Sequence, residues 1–159
     1  ANNMAHSYLL GCALAGMHVR IATPASHQPR ADIVARAQRH AAAQGGSILI
    51  TDDPVVAASG ADVVATDTWV SMGMEAESEQ RHGAASPFEP FRVSEALMAK
   101  AAPDAVFLHC LPAYRGYEVD ASVIDGPSSL VWQEAEHRLH AQKALLPWLM
   151  AQHRAGDGR

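Results

Sequence analysis

Ala105-Val106-Phe107-Leu108-His109-Cys110-Leu111-Pro112-Ala113 is the stretch that decides how this chain folds. A short run rich in apolar residues, stopped by a proline, reads as a buried strand. His109, Cys110 and the backbone carbonyls beside them are then delivered to the end of a parallel strand. In open α/β sheets that is the edge where ligands bind. A second edge of this kind lies upstream, where Asp62-Val63-Val64-Ala65-Thr66 runs into Asp67-Thr68-Trp69-Val70-Ser71-Met72-Gly73. Two polar strand ends point to a small-molecule site.

Outward from these strands, helical and extended patterns alternate. Residues 3–17 place Met4, Tyr8, Leu9, Cys12, Ala13 and Met17 at mostly three- and four-residue spacings, an amphipathic helix that Asn2 or Asn3 can cap. His18 to Ala22 reads as a strand, residues 31–43 as an alanine-rich helix closed by Gly45-Gly46, and Ser47 to Thr51 as another strand. Asp53 caps a short helix that ends at Gly60, and the strand at 62–66 follows. From Asp67 to Pro90 the pattern is lost, and a loop that long in a compact domain is more often functional than not. A helix near 93–101, the strand at 105–108, a loop through Asp120 and a short strand at Leu130-Val131-Trp132 come next. A helix from Gln133 to His153 closes the domain, with Pro147 expected to kink it or mark a boundary, and residues 154–159 read as a frayed tail.

Strands separated by helices imply right-handed βαβ units. The expected fold is α/β, a doubly wound, mostly parallel, Rossmann-like sheet with helices on both faces. Residues 1–153 form one such domain. No P-loop is present and no GxGxxG follows a strand, so the usual nucleotide-phosphate signals are missing. Asn2-Asn3 opens a helix with no strand before it, which suggests a chain that starts mid-protein.

Composition limits the partners. The chain has 159 residues, is 48% hydrophobic and carries a formal net charge of −5, so it has material for a packed core and no general attraction for nucleic acid or anionic membrane. No apolar run reaches the length of a membrane span, and no signal peptide opens the sequence. Cys12 and Cys110 fit no CxxC spacing and imply no disulfide framework, which favours a reducing, cytoplasmic setting.

Four positions invite chemistry. Cys110 is a small buried thiol on composition alone, but at a sheet edge beside His109 it can contact a substrate, act as a nucleophile or bind metal. The metal reading is weak, because no ligand set of the right spacing accompanies it. Asp67 is either a turn residue bonding its own backbone or a carboxylate for a substrate cation. Ser71, Met72 and Gly73 would form a flap over it, with a hydroxyl, an adaptable apolar cover and a free backbone. Arg138, in Glu134-Ala135-Glu136-His137-Arg138, is a solvated arginine or a fork for a carbonyl or anionic oxygen. Glu134 and His137 share the ExxH spacing of di-metal bundles, yet the partner carboxylates and that fold are absent. His6, His18, His27, His40, His82, His140 and His153 form no ligand constellation and read as surface or packing residues.

Together, Asn2-Asn3-Met4-Ala5-His6-Ser7, Asp67-Thr68-Trp69-Val70-Ser71-Met72-Gly73, His109-Cys110-Leu111-Pro112 and Glu134-Ala135-Glu136-His137-Arg138 resemble the ornithine carbamoyltransferase family, in order and across residues 2 to about 150. The HCLP and DxWxSMG segments separate it from the aspartate carbamoyltransferases. The resemblance is to the C-terminal, ornithine-binding domain. The Ser-Thr-Arg-Thr and HPxQ segments of the carbamoyl-phosphate domain have no counterpart here.

The resemblance implies that Asn3 and Asp67 hold the α-amino and α-carboxylate end of L-ornithine, with Ser71 and the Met72 backbone. It makes His109, Cys110 and Arg138 the catalytic group. Cys110 would lie beside the δ-amine, the Leu111 carbonyl would accept from the carbamoyl nitrogen, and Arg138 would polarise the carbamoyl carbonyl. It further implies carbamoyl phosphate as second substrate, no cofactor or metal, a homotrimer in the full-length form, and arginine metabolism in the cytoplasm. Two positions depart from the family's pattern. Met74 stands where glutamine is common, and His137 where asparagine usually precedes the arginine. The alternatives are a putrescine or related carbamoyltransferase, a free amino-acid-binding fragment, or self-association through Leu145, Leu146, Trp148 and Leu149.

Overall fold

The computed structural model describes residues 3–70 and 86–156. It is α/β, and every strand pairing is parallel. Helix α1 (Asn3–Leu14) leads to β1 (His18–Ala22), a 3₁₀ turn at Ala25–His27, α2 (Ala31–Gln44) and β2 (Ser47–Thr51). After α3 (Pro54–Ala58) and β3 (Val63–Thr66) come a 3₁₀ turn at Glu89–Phe91, α4 (Glu95–Met98), β4 (Val106–His109), α5 (Ala121–Ile124) and α6 (Val131–Gly156).

Local chemistry sets these boundaries. Gly45 ends α2 in the left-handed region at φ 80°, with its N–H on the carbonyl of Ala41. Asp53 Oδ1 accepts from the N–H groups of Val55 and Val56, and Pro54 opens α3 where a missing N–H costs nothing. Ser94 caps α4 through the N–H of Leu97.

β1 pairs with β2 from His18 opposite Ser47 to Ala22 opposite Thr51; β3 pairs with β4 from Val63 opposite Val106 to Thr66 opposite His109. The expected single sheet is therefore present as two parallel ladders. β1 is tied to α3 instead of to β3: the Arg20 guanidinium donates to the carbonyls of Ser59 at 2.6 Å and Val56 at 3.4 Å. A cavity of about 530 Å³ opens between the ladders, lined on one side by Arg20 to Thr23 and on the other by Val63 to Trp69.

Each ladder has its own core. Leu9 and Ala13 of α1 meet Ala37 and Ala41 of α2 over Val19, Ile21, Ile48 and Ile50. Small alanines let the two helices lie close. Around the second ladder, Val64, Leu97, Phe107, Val119, Ile124 and Val131 pack together. Burying a side chain of that size contributes about 1.5–3 kcal/mol.

Three expectations change. Leu130-Val131-Trp132 is no strand: Phe107 bonds the carbonyl of Ser128 and the N–H of Leu130, and the chain then turns into α6 at the buried Val131. Pro147 does not end α6, which continues to Gly156. It forfeits one backbone bond on a helix whose side chains are solvent-exposed from Ala135 to His153, so nothing packed there has to be rebuilt. The helix near 93–101 shrinks to Glu95–Met98 because Val93 is bridged to Val119.

Candidate active site

The site grows from the C-terminal ends of β3 and β4. Their parallel register puts Thr66 opposite His109, so the residues that follow, Asp67 and Cys110, leave the sheet side by side. The Cys110 thiol donates to Asp67 Oδ1 at 3.0 Å, and the same oxygen accepts the N–H of Thr68 at 2.8 Å. Asp67 thus fills its reading as a turn residue, through the Thr68 N–H, and the same oxygen also accepts the Cys110 thiol. Burial, and then Asp67 and Glu134, push the Cys110 thiol up to about 12. At neutral pH it is an S–H donor, not a thiolate nucleophile.

Behind Cys110 the backbone is held tightly. Leu111 sits at φ 55°, a region a branched side chain enters only when its surroundings impose it. Its N–H donates to Nδ1 of His109 at 2.9 Å. The ring is 1% exposed, and the Nδ1 contact assigns its proton to Nε2, on the side of Glu118. Nε2 lies 3.3 Å from Glu118 Oε1, near enough for attraction but not aligned for a hydrogen bond. Glu118 is 0% exposed and accepts the Tyr114 N–H at 2.6 Å. His109 is enclosed by the protein and supports the turn that carries Cys110.

α1 supplies the other wall. Asn3, its first residue, lines the cavity together with Tyr8 and Asp67. The Tyr8 hydroxyl donates to Glu134 Oε1 on the first turn of α6 at 3.3 Å. Burial, and then Glu134, Cys110 and Asp67, hold the Tyr8 hydroxyl well above the usual phenol range. Tyr8 and Glu134 were missed as site residues. A tyrosine on an apolar helix face does signal a hydroxyl in need of a partner, but not which one. Trp69, buried after Asp67, stacks on Phe88 at 5.9 Å between ring centroids, and His27 meets Phe88 edge-on at 4.7 Å.

Asp67, His109, Cys110 and Leu111 are therefore brought together, and Asn3 lines the cavity that Asp67 also lines. Arg138 is exposed, one turn beyond Glu134, and makes no hydrogen bond or ion pair among the described residues. Ser71, Met72, Gly73 and Met74 lie outside the described residues, as do Asn2 and the chain's last residues from 157 to 159. Among the described residues no cluster of three or more His, Cys, Asp and Glu could hold a metal ion, and no helix is long and apolar enough to cross a membrane.

Residues 1–149 match the family described as aspartate/ornithine carbamoyltransferase, Asp/Orn binding domain. The chain belongs to that family. It is 62% identical over 150 residues to the ornithine carbamoyltransferase of Renibacterium salmoninarum, a match covering 94% of this chain and 47% of that protein. Among solved structures, the anabolic ornithine carbamoyltransferase of Campylobacter jejuni superposes with a TM-score of 0.88 at 40% identity, over 95% of this chain and 49% of that one. The ornithine carbamoyltransferase from Pyrococcus furiosus gives 0.82 at 48% identity, over 89% and 44%. The chain spans about half the length of the curated relatives it matches.

Proposed function

We propose that this chain is the ornithine-binding half of an ornithine carbamoyltransferase, which moves the carbamoyl group of carbamoyl phosphate onto the δ-amine of L-ornithine to give L-citrulline and phosphate. The observation that carries the proposal is the thiol–carboxylate contact of Cys110 with Asp67 at 3.0 Å, beside a cavity that Asn3 enters, in a chain of this family. Residues 1–153 would be the binding domain and 154–159 a frayed tail.

In this reading Asp67 takes the α-ammonium in a charge-assisted contact, and Asn3 takes the α-carboxylate. Ser71 and the Met72 backbone complete that end. Substrate entry separates Asp67 from the thiol, so an ammonium N–H replaces the S–H at Oδ1. Cys110 then turns toward the δ-amine. As a neutral thiol it orients the amine and forms no covalent intermediate. The amine lone pair attacks the carbamoyl carbon, the C–O bond to phosphate breaks, and the proton shed by the amine leaves with the phosphate. The Leu111 carbonyl accepts from the carbamoyl NH₂, and Arg138 stabilises the oxygen on which charge builds. His109 acts at one remove, through the Leu111 backbone. Orientation and electrostatics supply the acceleration, with no cofactor or metal. Carbamoyl phosphate sits mainly on the half not contained in this chain, so the chain alone is inactive. The full enzyme would be a cytoplasmic homotrimer serving arginine metabolism.

A citrulline assay of this chain, with and without the complementary half supplied, tests the reading. Ornithine-dependent citrulline formation only in the complemented reaction is expected. Activity with putrescine but not ornithine, or no product from a complemented and folded sample, would overturn it.

A further inference from the structure

Tyr8 and Glu134 are 126 residues apart and belong to the two opposite ends of the chain, yet their side chains meet beside the Asp67–Cys110 pair. Glu134 Oε1 receives the Tyr8 hydroxyl, whereas Glu134 Oε2 is shielded from solvent and has no hydrogen-bond partner. Among the described residues no arginine, lysine or histidine pairs with this carboxylate. A buried acceptor left without a donor is unfavourable until one arrives. Tyr8 is bonded to the other Glu134 oxygen and the Cys110 thiol is bonded to Asp67, so neither supplies the missing donor.

We propose that Glu134, held in place by Tyr8, is a specificity-determining residue for the distal amine of the substrate. Its free oxygen accepts an N–H of that amine and so distinguishes a diamino acid from an amino acid with an apolar tail. The inference rests on the ornithine reading and extends it. Cys110 is the group assigned to the δ-amine. Glu134 is bonded to Tyr8, Tyr8 lines the cavity with Asp67, and Asp67 is bonded to Cys110, so Glu134 falls on the Cys110 side of the ligand. One accepted N–H fixes how the amine is turned, leaving its lone pair for the carbamoyl carbon. Tyr8, which lines the cavity, is the positioning residue: its hydroxyl takes one Glu134 oxygen and leaves the other for the ligand.

The test compares L-ornithine with L-norvaline, which has the same α-end and no δ-amine, in the complemented enzyme. Inhibition by norvaline and KM for ornithine are measured for wild type, Glu134→Gln and Tyr8→Phe. Glutamine keeps an acceptor for Tyr8 but turns a donor NH₂ toward the amine. Phenylalanine leaves the carboxylate intact but untethered. Glu134→Gln should lower the preference for ornithine over norvaline about ten- to a hundredfold, with norvaline inhibition unchanged. Tyr8→Phe should lower it less, and Tyr8→Phe combined with Glu134→Gln no further than Glu134→Gln alone. Equal loss of both ligands, or an unchanged ratio, overturns the inference. A wild-type enzyme that makes no citrulline overturns the ornithine reading instead. If Glu134→Gln fails to fold, the same ratio in Tyr8→Phe decides: unchanged discrimination there rejects the proposal.

Discussion

His109 and Glu118 face each other at 3.3 Å, one 1% and the other 0% exposed, directly behind the turn that carries Cys110. Neither reaches the cavity. The histidine spends Nδ1 on the Leu111 N–H and the glutamate spends Oε1 on the Tyr114 N–H, so the pair fastens two points of one loop to the end of β4. A buried polar pair of this kind is worth most through what its loss would leave unsatisfied.

Glu118→Ala should therefore destabilise the fold by about 2–4 kcal/mol, combining the orphaned Tyr114 N–H with the void left behind. Glu118→Gln keeps an acceptor for Tyr114 and should cost about 1 kcal/mol. Urea denaturation of both variants checks this. Equal stability of the alanine and glutamine proteins would show that the Tyr114 bond carries no weight.

Cys110 should be unreactive. With its thiol held up to about 12 by burial and by Asp67, the thiolate population at pH 8 is on the order of a thousandfold below that of a free cysteine of pKa near 8.5. Iodoacetamide labelling followed by mass spectrometry should find Cys110 slow and Asp67→Asn faster, since the neutral amide no longer opposes the thiolate. The stability effect has the matching sign. A folded pKa above the unfolded one favours the folded state fully below about pH 8.5, and the contribution disappears as pH rises toward 12.

Asp67→Asn should also cripple catalysis. Removing a charged acceptor for the α-ammonium is worth about 1.5–3 kcal/mol, roughly ten- to a hundredfold in kcat/KM for ornithine, with KM for carbamoyl phosphate little changed. Steady-state kinetics of the complemented enzyme measures both. A substitution that spared ornithine and harmed carbamoyl phosphate would reverse the assignment.

On α6, Leu145, Leu146, Trp148 and Leu149 are between 48% and 61% exposed, an apolar stretch with no described cover. Sedimentation velocity over a hundredfold concentration range should show self-association of the isolated chain. Leu146→Glu with Trp148→Glu should abolish it, and a wild-type monomer at every concentration would refute it.

Asp53→Ala should cost about 1 kcal/mol without touching activity, because its carboxylate only closes the N–H groups of Val55 and Val56. Thermal denaturation beside a citrulline assay separates the two.

Sequence patterns were sufficient for β1, β2, β3 and β4, for the Asp53 cap and for the glycine that ends α2. Each rests on side-chain period or backbone freedom within a few residues. That Asp67 and Cys110 both stand at polar strand ends was legible too, but that β3 and β4 are neighbours and bring the two side chains into contact was not. What needed the tertiary structure is whatever joins distant residues. The Tyr8–Glu134 bond, the Glu118 support behind His109 and the Arg20 bonds to Val56 and Ser59 leave no local trace, because hydrogen bonds to far partners impose no periodicity. Leu130-Val131-Trp132 misled for the same reason: the bridge to Phe107 falls on Ser129, with only the Leu130 N–H taking part, and the packing of Val131 then starts a helix. The sequence by itself determined the order of elements and which side chains stand at the sheet edge. The tertiary structure decided which of them touch, because contact between the carboxylate and the thiol depends on β3 and β4 pairing side by side.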